Sequence, residues 1–148
     1  MTHTFNTPIG AVRLVEEGGS IIRIGLTDAD ASSFAPTPLL SEAEHQITAF
    51  LRGERRQLDF PIRMVGTVFQ QRVWQALQQI PYGTTRTYGE IAIAIGNPRA
   101  SRAVGMACNR NPLLLFVPCH RVVGANGKLV GFAYGTEAKR WLLELEVE

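Results

Sequence analysis

The spacing of apolar residues changes character partway along the chain. Over residues 1–64 they fall in short runs separated by turn residues. Thr2–Asn6, Val12–Val15 and Ile21–Leu26 read as three strands. Thr7-Pro8-Ile9-Gly10 turns the first into the second, and Glu16-Glu17-Gly18-Gly19-Ser20 is a hairpin signal before the third. Ser41 with Glu44 has the form of a capping box, which predicts a helix from there to about Leu51. Gly53–Asp59 reads as a polar loop.

Beyond Pro61–Gly66 the period becomes helical. Thr67 with Gln70 is a second capping box. Phe69, Val73, Leu77 and Ile80 then recur at three- and four-residue spacing, with Trp74 beside them. Pro81-Tyr82-Gly83 ends this helix. Thr87 with Glu90 is a third capping box and opens a short helix with Ile91 and Ile95 on one side. Gly96-Asn97-Pro98 breaks it, and Pro98 suits the first position of a further helix ending near Asn109. Leu113–Val117 predicts a buried extended run stopped by Pro118. Thr136–Leu145 predicts a last helix with Trp141, Leu142 and Leu145 inward. The pattern predicts an α+β chain. A small N-terminal β-sheet and helix lobe (residues 1–64) precedes a mostly helical C-terminal lobe (65–148) that contains a helix-turn-helix.

Composition narrows the class. Of 148 residues, 45% are hydrophobic and 19% charged, which suits a folded core and excludes charge-driven disorder. No apolar run exceeds the five residues of Leu113–Val117, far below the roughly 20 of a membrane helix. The first residues lack the basic head and apolar stretch of a secretion signal. The two cysteines, Cys108 and Cys119, are therefore expected as reduced thiols in a cytoplasmic setting. The net charge of +2 hides an uneven distribution. Residues 65–131 hold six Arg and one Lys against one acid, Glu90, which makes +6. The flanking segments each carry −2. Such clustering is the footprint of a polyanion binder if the arginines share a face. The small-residue helix Pro98–Cys108 has few long side chains for base edges. It suits either close approach to a sugar-phosphate wall or tight packing between helices.

Chemistry concentrates at Pro118-Cys119-His120-Arg121-Val122. A thiol needs a neighbouring base or cation to ionise. Adjacent residues on an extended chain point to opposite faces, so Cys119 and His120 would need a turn or a bridging water to cooperate. Cys108 reads as a small core residue. His3 and His45 read as surface residues. The Cys and His spacings fit no zinc site, and neither a phosphate loop nor a dinucleotide fingerprint is present. No metal or cofactor is expected.

Ile80–Glu90, Asn97–Gly105, Asn111-Pro112, Pro118–Gly124 and Lys139–Glu146 together resemble the O6-alkylguanine-DNA alkyltransferase family, in order and with its spacing, over about residues 67–146. The resemblance implies direct repair of duplex DNA. An alkyl group, mainly methyl, passes irreversibly from O6 of a flipped guanine to a cysteine, and the protein is consumed in a single turnover. It further implies a helix-turn-helix entering the minor groove, with no membrane association and no obligate protein partner. The protein would act as a monomer, in the cytoplasm at the nucleoid of a prokaryote.

By position, Cys119 resembles the alkyl acceptor, His120 the base acting through a water, and Glu146 the carboxylate that orients it. Asn111 resembles the hinge asparagine, and Arg102 the finger that fills the vacated stack. Tyr88 resembles the residue that crowds the 3′ phosphate and donates to guanine N3. Arg99, Ala100, Ser101 and Gly105 fall on the DNA-facing helix. The backbone at Cys119, Val122 and Ala133 would bind the guanine. Tyr134 stands where the family usually has glycine at the pocket rim. A cysteine-containing zinc site found in the N-terminal lobe of some relatives is absent, since no cysteine precedes Cys108. Two other readings remain open at this point. One is a lesion-binding module without chemistry, against which Cys119 stands. The other is a thiol hydrolase that turns over and ignores DNA.

Overall fold

The computed structural model describes residues 1–32, 34–130 and 132–147. The chain divides into two compact units. The first comprises Met1–Val65 and Pro112–Phe116, and the second Gly66–Asn111 and Val117–Glu148. This differs from a single cut after residue 64, because five residues of the later chain return to the first unit.

The first unit is built on an antiparallel sheet in the order β1 (Thr2–Thr7), β2 (Gly10–Glu17), β3 (Ser20–Thr27). Phe5 pairs with Val12, and Leu14 with Ile24. Phe5, Val12, Leu14, Ile21 and Ile24 are buried and face α1 (Pro38–Leu51), which contributes Leu40, Ile47 and Phe50 to the same core. Gly18 and Gly19, both at positive φ, make the β2–β3 turn that only glycine adopts without strain. The N-cap of helix α1 lies four residues before the Ser41 expected from the capping box with Glu44. Thr37 is its N-cap, accepting from the Leu40 amide at 3.1 Å, and Pro38 occupies the first turn. His3 is also buried rather than exposed. Its Nε2 bonds the Glu44 carboxylate, a partner 41 residues away that no local pattern reveals.

Of Leu113–Val117 all but the half-buried Phe116 are buried, as expected from their composition, but they do not form an extended run. Leu113 makes an isolated parallel bridge to Ile24, the chain turns at Leu115 and Phe116, and Leu115 takes φ of 73°.

The second unit holds α2 (Val68–Leu77), β4 (Arg86–Thr87), α3 (Tyr88–Ala94), α4 (Ser101–Asn109), β5 (Val122–Val123) and α5 (Thr136–Val147). Both capping boxes read from its sequence are present, at Thr67 with Gln70 and at Thr87 with Glu90. Helices α3 and α4 form the helix-turn-helix, and Gly96 at φ of 80° supplies the break between them. Pro98 lies in that turn rather than inside the helix. Helix α4 begins at Ser101, and its N-cap, Ala100, offers no side-chain bond. Trp74 is fully buried, and its indole N–H donates to Ala107 O at 2.9 Å, tying α2 to α4. On α5 the inward residues are Lys139, Leu142 and Glu146. Trp141 and Leu145 are only half-buried.

Candidate active site and nucleic-acid interface

Every residue of the catalytic set expected from sequence lies in the second unit. Asn111 and Val117 flank the five residues that leave for the first unit. The Asn111 side-chain amide donates to Val117 O at 2.8 Å and so clasps the two ends of that excursion. The same amide lies 3.2 Å from Cys119 Sγ. Pro118 then starts a 3₁₀ turn, Cys119–Arg121, whose three residues are all buried. Successive side chains of a 3₁₀ turn diverge by about 120°, not the opposite facing of an extended chain. The chain therefore does turn at Cys119, and from that turn Cys119 and His120 reach different neighbours.

Burial pushes the Cys119 thiol above its ordinary pKa of 9.0. The Asn111 bond and the positive charge of Lys139 act the other way but do not cancel it. His120 is completely buried, which disfavours its cation and lowers its pKa from 6.5, although Glu146 opposes that shift. Its Nε2 is 2.6 Å from Glu146 Oε2, while Nδ1 is buried without a protein partner among the described residues. Burial alone would raise the Glu146 pKa, but bonds and charge from His120 and Arg121 hold it at about 2. The carboxylate is therefore ionised and accepts from His120 Nε2–H. This fixes the tautomer and leaves Nδ1 as the basic nitrogen.

Glu146 gathers more than the histidine. Arg121 donates to it twice, from Nε at 2.8 Å and from Nη2 at 2.9 Å, and sends Nη1 to Ile80 O at 2.9 Å. The Gly83 amide donates to Oε1 at 3.1 Å. Gly83 has φ of 79°, and a Cβ there would sit 3.1 Å from the Glu146 carbonyl, so a turn residue distant in sequence is shaped to receive α5. Arg121 and Gly83 belong to the quoted motifs, but nothing in the sequence indicates that both converge on Glu146.

Lys139 is the functional-site residue that sequence reading missed. Its side chain is fully buried in α5. Its Nζ donates to Val130 O at 2.9 Å and lies 5.8 Å from the Tyr88 ring centroid and 5.9 Å from that of Phe132. Burial lowers its pKa, against the opposing pull of the Cys119 and Cys108 sulfurs. The available signal was spacing, since positions 139, 142 and 146 share a helix face.

Tyr88 opens α3. Its ring lies beside Gly105 of α4, where an added Cβ would be 3.9 Å away. Its hydroxyl donates to Val130 O at 2.6 Å, the same carbonyl that Lys139 holds. Burial keeps this hydroxyl protonated, with its pKa raised. Cys108 is likewise buried with a raised pKa, as suits a core thiol. Val122 is buried in β5, which pairs in parallel with β4. Ala133 is exposed, and the half-buried Tyr134 meets Phe132 edge-on with centroids 5.8 Å apart.

On the helix-turn-helix, Arg99 and Arg102 are exposed, Ser101 and Gly105 are half-buried, and Ala100 is nearly covered. Not all of the basic segment reaches solvent as free charge. Arg121 is buried on Glu146, whereas Arg72 is exposed and bonds Ile95 O at 2.6 Å. Arg99, Arg102 and Arg110 remain exposed at or around α4. Among the described residues no group of three or more His, Cys, Asp or Glu side chains could hold a metal, and no helix is long and apolar enough to cross a membrane.

A buried thiol with a carboxylate-oriented histidine, in the same unit as a helix-turn-helix, defines a DNA-directed thiol transfer protein. Residues 68–148 match the model of the 6-O-methylguanine DNA methyltransferase DNA-binding domain. Over 148 residues the chain is 46% identical to the methylated-DNA–protein-cysteine methyltransferase of Methanosarcina acetivorans, with 96% of this chain and 95% of that one covered. The constitutive enzyme of Bacillus subtilis is 44% identical, covering 97% and 93%. The crystal structure of Mycobacterium tuberculosis OGT in complex with DNA superposes with a TM-score of 0.89 at 45% identity, covering 99% of this chain and 92% of that one. The chain belongs to the methylated-DNA–protein-cysteine methyltransferase family.

Proposed function

We propose that this protein repairs duplex DNA by transferring a methyl or other alkyl group from O6 of guanine to Cys119, once per molecule. The observation that carries the reading is the polarity of the His120 ring. Nε2–H is committed to an ionised Glu146, and Nδ1 is left as a buried acceptor. Burial stabilises the neutral imidazole, which is the form a base requires.

In the reaction the Cys119 Sγ–H proton passes through a water to His120 Nδ1 while sulfur attacks the alkyl carbon. The C–O6 bond breaks as the S–C bond forms, the departing guanine anion takes a proton from water, and the His120 imidazolium returns its own to solvent. Asn111 Nδ2 donates to the developing thiolate, and Lys139 adds positive charge nearby. Burial favours the neutral thiol until the substrate is in place, which protects an irreversible nucleophile from other electrophiles.

O6 is out of reach within a stacked duplex, so the guanine enters the site flipped. Helix α4 lies in the minor groove, and Arg102 fills the gap in the stack. Tyr88 crowds the 3′ phosphate and exchanges Val130 O for guanine N3. Lys139 still satisfies that carbonyl when Tyr88 leaves it. Backbone carbonyls at Cys119 and Val122 accept from the guanine amine, and the Ala133 amide donates to O6. Arg99, Ala100, Ser101 and Gly105 form the close surface against the backbone. Tyr134 rims the pocket. The protein acts as a monomer, in the compartment that holds the chromosome.

The test is stoichiometry by intact mass after incubation with duplex DNA carrying O6-methylguanine. The expected product is one added CH2 per protein, mapped to Cys119, with none in Cys119→Ala, which still binds the duplex. Continued turnover, or methylation elsewhere, would overturn the reading.

A further inference from the structure

Helix α4 has two unlike faces. Val104, Ala107 and Cys108 are buried in the second unit. Arg102, Gly105, Met106 and Asn109 follow at the spacing of one helix face, and all but Gly105 are exposed. Met106 is the anomaly, because it leaves 58% of its surface in solvent in the middle of that stripe. The charged residues that flank it along the chain are all basic. Arg102 lies one turn before it, Arg99 precedes the helix and Arg110 follows it, and no Asp or Glu occurs between Ile91 and Thr136.

We propose that Met106 is a DNA-contacting residue whose thioether packs against the deoxyribose walls of the minor groove, one turn along α4 from Arg102. The inference rests on the alkyl-transfer reading above and specifies how the helix grips DNA. Phosphates satisfy the arginines at either end of the stripe. Between the phosphate rows the groove wall consists of sugar C–H surface, which offers nothing to a charge but contact area to an apolar side chain. Proteins of the minor groove use Met and other apolar residues against it. An unbranched thioether adapts to a groove whose width varies with sequence, as a repair protein that inspects every site requires. Met106 therefore supplies a part of duplex affinity that salt does not screen, while Arg99, Arg102 and Arg110 supply the part that it does.

Two variants and two readouts test this. Duplex affinity is measured across a salt series by fluorescence anisotropy for wild type, Met106→Ala and Met106→Leu. Inactivation rates are measured on O6-methylguanine duplex and on free O6-benzylguanine. Met106→Ala should bind duplex about three- to tenfold more weakly, with the slope of log K against log salt unchanged. Its ratio of duplex rate to free-base rate should fall by a similar factor at limiting protein concentration. Met106→Leu should recover most of the loss. Wild-type affinity in Met106→Ala, an equal loss on the free base, or a changed salt slope would each overturn the proposal. A wild type that takes no methyl from duplex would instead overturn the alkyl-transfer reading, and Met106 with it.

Discussion

The side-chain amide of Asn111 lies 3.2 Å from the sulfur of Cys119, eight residues further on, and the same amide holds Val117 O at 2.8 Å. One side chain therefore both closes the chain before the 3₁₀ turn and supplies a donor to the Cys119 sulfur. Asn111→Leu removes the donor, while Val117 O keeps its bond from the Cys119 amide at 2.8 Å. A hydrogen bond to a charged group contributes about 1.5–3 kcal/mol, so methyl transfer should slow by roughly ten- to a hundredfold. The thiol's reaction with iodoacetamide should shift to higher pH. An unshifted profile would remove Asn111 from thiolate stabilisation.

Glu146 carries two loads, and they separate by substitution. Glu146→Ala leaves Arg121 buried without its counter-ion and His120 Nε2–H without its acceptor, and should destabilise the fold by about 3–5 kcal/mol. Urea unfolding measures this. Glu146→Gln keeps the shape and part of the bonding, so it should cost less stability. It should still slow transfer, though less than Cys119→Ala, because it no longer stabilises the imidazolium that forms on His120. A Gln variant as fast as wild type would exclude Glu146 from proton transfer.

Both shifts at this pair give stability the same pH dependence. Glu146 falls from 4.5 to about 2 on folding, so its contribution is complete above 4.5 and lost as pH drops towards 2. His120 is also lowered, from 6.5, so the unfolded chain takes up that proton first and stability begins to fall below 6.5. Melting temperature should decline as pH falls from neutral and steepen below 4.5. Transfer should keep its rate through 6.5 and lose it at lower pH, where His120 is cationic. A rate that halves at 6.5 would contradict a neutral buried histidine there.

Arg102 stands exposed at the start of α4, and in the proposed repair reaction it acts only where a base stack has been opened. Arg102→Ala should therefore reduce repair of duplex O6-methylguanine far more than reaction with free O6-benzylguanine. Parallel losses on the two substrates would show that the arginine acts on the pocket instead.

Tyr134 packs edge-on against Phe132, whose ring in turn lies 5.9 Å from Lys139 Nζ. We propose that this contact holds Tyr134 at the pocket rim, where it obstructs bulky groups and spares a methyl group. In Tyr134→Gly the ratio of inactivation by free O6-benzylguanine to that by O6-methylguanine DNA should rise. A fall, or no change, would reject the obstruction.

What the sequence determined by itself was local. The caps at Thr67 and Thr87 depend on residues three apart, and the β2–β3 turn on adjacent glycines, so each could be read in place. The motif around Cys119 likewise marked the thiol and the histidine that one buried 3₁₀ turn carries. Where two local signals competed, sequence reading chose wrongly. Thr37-Pro38 caps α1 ahead of Ser41, and Pro98 serves the turn rather than the helix. Only tertiary structure decided the long-range partners: His3 with Glu44, Arg121 and Gly83 on Glu146, and Lys139 with Tyr88 on one carbonyl. Their separations run from nine residues to 63. No helical or strand period reports such pairings, because they depend on which faces meet once the apolar surfaces have packed. The burial of Lys139 is the clearest case. An α-helical lysine reads as solvated until the fold closes a carbonyl and two aromatic rings around it.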